Sequence, residues 1–195
     1  MNQISQKALS VNKWILYTCV GWTIGILLII LSGILLETIR IEIGGQSILG
    51  IGMGLGVGLM QWLALRKHSE TGKMWIWFLF IGLSIPFIFL DVLSAFIELK
   101  PENYILIATA FGGLFTGWLQ YRFILSKISD KAKSWIIYSS LGWIVSTLVT
   151  MSLFWLNLHI ERHFAIPLAF IFILIGGPLL GLITGYSIVS ILERG

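Results

Sequence analysis

Asp91 is the one acidic residue inside an otherwise uncharged apolar run, Met74–Ile97. A carboxylate removed from water is costly unless something compensates it. An acid in such a run therefore reads first as a group for a proton, a cation or a substrate amine. It lies sixteen residues past Trp75, about 24 Å along a helix that rises 1.5 Å per residue. That places it several ångströms inside the far interface rather than at mid-membrane. Ser84, Asp91 and Glu98 recur at seven-residue spacing, with Ser94 and Ala95 on the same flank, so a helix here carries one polar stripe. The alternative is a structural carboxylate, paired with Arg40, Lys100 or Arg162 or reaching headgroup water. A carboxylate in a stripe that faces the protein serves either reading; one that faces lipid serves neither.

A second polar set is Gln61, Gln120 and Thr184, each three residues after a Gly-x-x-x-Gly: Gly54/Gly58, Gly113/Gly117 and Gly177/Gly181. Their equivalent positions predict a polar ring at one depth. It lines a constriction or makes interhelical hydrogen bonds, worth about 0.6 kcal/mol per pair in membranes. His159 and His163 are four apart and share a helical face, but Glu161 is misplaced for a His-Glu-x-x-His zinc helix. They are expected to be exposed loop residues, and no metal or cofactor is expected. Gly52–Gly58 is glycine-rich but lies mid-run, without a strand or a Lys-Ser/Thr beside it, so context excludes a phosphate loop. No Ser or Cys with a His base is apparent, and no catalytic residue is assigned.

The elements that must hold these residues are membrane-length helices. Apolar residues make up 57% of the chain and charged ones 11%, against about 25% charged in an average soluble domain. A span needs about 20 apolar residues. Runs that qualify are Trp14–Leu36, Ile43–Leu65, Met74–Ile97, Asn103–Tyr121, Ser134–Ile160 and Phe164–Leu192. The sequence predicts an all-α integral membrane protein of one domain, residues 1–195. Its six helices form three hairpins, approximately 13–66, 74–125 and 134–192. The lone Cys19 allows no intrachain disulfide. The N-terminal run is too long for a signal peptide and reads as the first retained helix.

Orientation follows from Lys and Arg in the loops. Lys7, Lys13, Arg66, Lys67, Lys73, Arg122, Lys127, Lys131, Lys133 and Arg194 fall on one side, and Arg40, Lys100 and Arg162 on the other. Both termini are expected in the cytoplasm, the protein in a bacterial inner membrane. Trp14, Trp75, Trp77 and Trp135 open the odd helices just after basic loops, and an interfacial aromatic belt is the expectation for them.

The first helix of each pair carries Trp with Gly seven residues on: Trp14/Gly21, Trp75/Gly82 and Trp135/Gly142. A fixed period defines a building block. Three hairpins entering from one side imply a pseudo-threefold axis along the membrane normal. Because small residues drive close helix packing in lipid, the glycine-rich even helices are expected at the centre, with the Trp- and Phe-rich odd helices outside.

Gly-x-x-x-Gly-x-x-Gln-Trp-Leu-x-Leu-Arg, Gly54 to Arg66, resembles a motif of uncharacterised bacterial multi-pass membrane proteins. These are built from repeated helical hairpins, with Gly-Trp in the odd helices, as at Gly21-Trp22 and Gly142-Trp143. The likeness covers nearly the whole chain. The fourth helix departs at Tyr121-Arg122, the sixth has Thr184 for Gln, and the third lacks Trp after Gly82. The resemblance implies the fold and no activity.

The expected partners are the lipid bilayer and a membrane protein or a second copy of the chain, and not nucleic acid, because the basic residues sit in loops rather than on one face. Two functions fit: a packing or interaction subunit of a membrane complex, or a small-solute or cation carrier that uses Asp91.

Overall fold

A computed structural model describes the backbone of residues 9–40, 46–68, 72–94, 96–97, 101–156 and 162–193. Glu98, Ala95, Lys100, His159 and Glu161 lie outside the described residues, as do the side chains of Arg162 and His163.

The described chain is helical, without a strand among the described residues. Six helices follow one another: α1 Val11–Thr38, α2 Ser47–Leu65, α3 Met74–Ser94, α4 Pro101–Phe123, α5 Ser134–Leu156 and α6 Arg162–Glu193. Two short 3-10 turns, Leu125–Lys127 and Asp130–Lys133, join α4 to α5. Ser10 caps α1 by accepting from the Lys13 amide at 3.3 Å, relieving one of the unpaired donors of the first turn. Five helices are long and apolar enough to cross a membrane. The sixth, α4, is lowered in hydropathy by Thr109, Gly112, Gly113, Thr116, Gly117 and Gln120, all of them buried.

The helices form a closed ring. Each packs on its neighbours in sequence, and α6 packs on α1. The expectation that the even helices occupy the centre is therefore corrected: none is central, and each sits between two odd ones. The glycines explain why. On α2, Gly52 and Gly56 meet α1, and a Cβ at Gly56 would lie 2.4 Å from the Gly25 nitrogen. Gly50, Gly54 and Gly58 meet α3, where a Cβ at Gly54 would lie 2.8 Å from the Phe80 Cα. Glycines on both flanks let two helices approach at once, so a ring satisfies α2 better than a hub.

The same logic closes the circle. The small-residue pairs of α2, α4 and α6 each face the next odd helix. A Cβ at Gly117 would lie 3.0 Å from the Ile136 Cα, and one at Gly181 would lie 2.9 Å from the Ile15 Cα. Gly54, Gly58, Gly117 and Gly181 thus stand at helix contacts, as their spacing predicts. Gly21, Gly82 and Gly142 face the even helix of their own pair instead. The outer faces are apolar: Leu16, Leu31, Phe89, Phe111, Ile137 and Phe170 are exposed.

Candidate functional site

The interior of the ring is divided by depth. At the end where the odd helices start, Trp14, Trp75 and Trp135 are 0%, 0% and 1% exposed. They are enclosed by the protein and have no wet edge, so the expected aromatic belt is corrected for these three; Trp77 faces outward, as does Trp118. The three rings meet one another, with centroids 6.2, 6.2 and 5.6 Å apart. Such pairs contribute about 0.5–1.5 kcal/mol beyond their buried area.

A buried indole usually finds an acceptor for its N–H. Each here finds one on the even helix that precedes it around the ring. Trp75 donates to Gln61 Oε1 at 3.2 Å, Trp135 to Gln120 Oε1 at 2.8 Å and Trp14 to Thr184 Oγ1 at 2.9 Å. The polar residues singled out by sequence are brought together here, as acceptors that hold a tryptophan plug. Leu65, Leu125 and Ala132, each fully buried, pack into the same apolar cluster and cover it from the loop side.

One polar atom in the plug is unmatched. Gln61 Nε2 donates to Thr18 Oγ1 at 3.4 Å, while Gln120 Nε2 has no partner among the described residues. Thr18 stands four residues after Trp14, and the residue four after Trp75 is Leu79. The hydroxyl that would receive the Gln120 amide is absent from α3.

Eight residues further along the odd helices comes a second layer. Trp22 and Trp143 stack, with centroids 5.9 Å apart and planes at 29°. Leu83 takes the corresponding place on α3. Trp22 donates to the Ile173 carbonyl at 2.8 Å. Beyond this layer lies a cavity of about 400 Å³ lined by residues of all six helices. Its walls are apolar, among them Ile26, Met53, Phe87 and Ile173, and they carry three threonines, Thr109, Thr147 and Thr150. The sequence singled out none of the threonines. The available signal was Trp143, Thr147 and Thr150 at helical spacing on α5.

Asp91 sits apart from this cavity. Its Oδ2 accepts from the Ser47 amide at 2.7 Å and from the Ser47 hydroxyl. Its Oδ1 accepts from the Tyr104 hydroxyl. Gln46, the residue before α2, makes no side-chain cap, so Asp91 reaches across from α3 to cap α2. A carboxylate there also meets the positive end of the helix dipole. The carboxylate faces the bundle, and its partners are neutral. Of the cations considered for it, Arg40 makes no ion pair among the described residues; Lys100 and the Arg162 side chain lie outside them. Ser94 donates to the Asp91 carbonyl at 2.7 Å. Ser84 is buried without a hydrogen-bond partner among the described residues.

Fold and site define a class: among the described residues, an all-helical protein of six helices, five of membrane-spanning length and hydropathy, arranged in a ring around a half-open apolar chamber. No family model, curated protein or solved structure matches the chain significantly.

Proposed function

We propose that this chain is a six-span membrane protein that binds a small apolar molecule in the chamber lined by its helices. In this reading the three hairpins share one orientation around an axis along the membrane normal. Both termini lie in the cytoplasm of a bacterium, and the tryptophan plug faces that side. Support comes from the repeated Trp/Gly and Gly-x-x-x-Gly spacing, the cyclic order of Trp-to-acceptor bonds, and the bias of Lys and Arg to one side. Reporter fusions after Lys73 and Lys133 should read cytoplasmic, and a fusion at Thr38–Ile41 should read external. The opposite pattern overturns the topology.

The chamber carries the functional reading. Protein interiors are close-packed, so a half-open apolar space of about 400 Å³ lined by all six helices is a place for a guest. Apolar cavities stay dry and take apolar guests. A protein that acted only by packing its helices would gain by closing the space. A cation carrier built on Asp91 has less support, since both carboxylate oxygens are taken by Ser47 and Tyr104.

The direct test uses 2-methylnaphthalene as a probe against the full chain in lipid nanodiscs. Saturable binding with a rise in Tm is expected. Ala169→Phe, at the chamber wall, should abolish binding while keeping the fold. A probe that partitions only into lipid, with wild type and variant alike, ends the reading.

A second reading is a subunit of a membrane complex. An outward groove of about 630 Å³ between α3 and α4, lined by Phe89, Phe111 and Trp118, favours it. Copurification of one stoichiometric membrane partner, lost in Phe111→Ser, would support that role.

A further inference from the structure

Among the described residues five tryptophans are buried, and four of them donate their indole N–H: Trp14, Trp22, Trp75 and Trp135. The fifth, Trp143, is 4% exposed and makes no hydrogen bond among the described residues. One helical turn on, Thr147 is 8% exposed, and its hydroxyl is unbonded too. Helical threonines commonly return their hydroxyl to the carbonyl four residues back, as Thr109 does to Ile105 at 2.8 Å and Thr150 to Ser146 at 3.0 Å. Neither the Trp143 nitrogen nor the Thr147 oxygen is fully enclosed by protein, and both residues line the chamber.

Both groups are therefore open to the chamber, with a donor to offer whatever enters it. Two such donors at i and i+4 on one helix face, in an otherwise apolar chamber, match the pattern of a ligand site: greasy walls with a few convergent polar groups that fix orientation. The stacked Trp22 and Trp143 rings add a flat aromatic surface at the same depth.

Resting on the chamber reading above, we infer that Trp143 Nε1 and Thr147 Oγ1 are the polar recognition pair of the chamber. They donate to a carbonyl oxygen on a planar, conjugated and otherwise apolar ligand. A carbonyl offers two lone pairs and accepts from both. A planar ring lies against the tryptophan layer, and Met53 and Met151 on the walls adapt to its edge. No ionisable side chain among the described residues lines the chamber, and such walls suit an uncharged ligand.

The test compares 2-methyl-1,4-naphthoquinone with 2-methylnaphthalene, nearly the same shape without the oxygens. Binding to the full chain in nanodiscs is followed by calorimetry and by the shift in Tm. The quinone should bind more tightly than the hydrocarbon. Thr147→Val, close to isosteric, should weaken the quinone about five- to tenfold and leave the hydrocarbon unchanged. Trp143→Phe keeps an aromatic ring without the N–H and should do the same. Should Trp143→Phe disturb the stack and the fold, Thr147→Val still decides. Equal binding of both probes, or a quinone preference that neither variant alters, overturns the recognition pair and leaves the chamber standing. Saturable binding of neither probe overturns the chamber reading, and the recognition pair with it.

Discussion

The two ends of the ring solve opposite problems. At the plug, three tryptophans fill the axis, and each spends its one donor on an acceptor from a different helix. Beyond Trp22 and Trp143 the same six helices leave a space of about 400 Å³. At the rim Asp91 fastens α2, α3 and α4 through Ser47 and Tyr104. The same six helices thus yield a sealed half and a hollow half. The inward residues differ between them: Trp at three of three positions in the sealed layer, and Trp, Leu and Trp in the layer that bounds the hollow. The plug is where stability concentrates, and the hollow half is where a guest can be taken up.

The largest expected effect tests that division. Trp135→Ala should cost about 3–5 kcal/mol of stability in detergent unfolding, because it opens the plug and strips Gln120 of its remaining partner. Trp143→Ala should cost distinctly less, since it enlarges a space already present. Equal losses would break the contrast between the halves. Next in size is a pair of glycine substitutions. Gly56→Ala should cost about 1–3 kcal/mol by overpacking, because its Cβ would lie 2.4 Å from the Gly25 backbone nitrogen. Gly33→Ala meets nothing within 4 Å and should stabilise α1 by about 0.5–1 kcal/mol. Opposite signs on thermal melting are the expected result, and a loss at Gly33 would mean that α1 has a neighbour there.

Much of this was legible in the sequence. The helices begin and end within a few residues of the apolar runs, since length and hydropathy bound a membrane-length helix from both sides. The contacts of Gly54, Gly58, Gly117 and Gly181 were legible because Gly-x-x-x-Gly has one common use in an apolar run. The burial of Trp14 was not. An indole at the start of such a run belongs at the interface by default, and what changes this is Thr184, 170 residues away. Nor could the ring be read from glycine content, which marks close approach without saying which helix approaches. The chamber left no motif, because empty space is a property of the closed ring and of no single residue. For Asp91 the charge was conspicuous and pointed to cations, whereas the partners are the hydroxyls of Ser47 and Tyr104 and a backbone amide.

Asp91 supplies the third prediction, at the rim of the hollow half. Asp91→Asn replaces one acceptor oxygen with an NH2 donor and removes the negative charge at the start of α2. A loss of about 1–2 kcal/mol is expected, smaller than at the plug, and probe binding in the chamber should be unchanged. Lost binding with unchanged stability would return Asp91 to the functional site. The smallest effect belongs to His68, just outside α2 at the plug end. Burial, and then the like charges of Lys13 and Lys67, hold its pKa below 6.5. The unfolded chain therefore binds the proton more readily. Stability should rise with pH across the interval from that lowered pKa to about 6.5 and level off above it. Melting temperatures from pH 5 to 8 should follow this curve, and His68→Asn should flatten it. An unchanged slope would assign the dependence to another group.

The packing of α6 on α1 through Gly181 and Ile15 makes the six helices neighbours in a circle, whatever their order along the chain. A linear order with a first and a last helix is then a matter of how the chain is written. A circularly permuted gene, opened in the loop before Met74 and rejoined by a flexible linker from Glu193 to Leu9, should rebuild the same plug and the same chamber. A hub of even helices carries no such freedom.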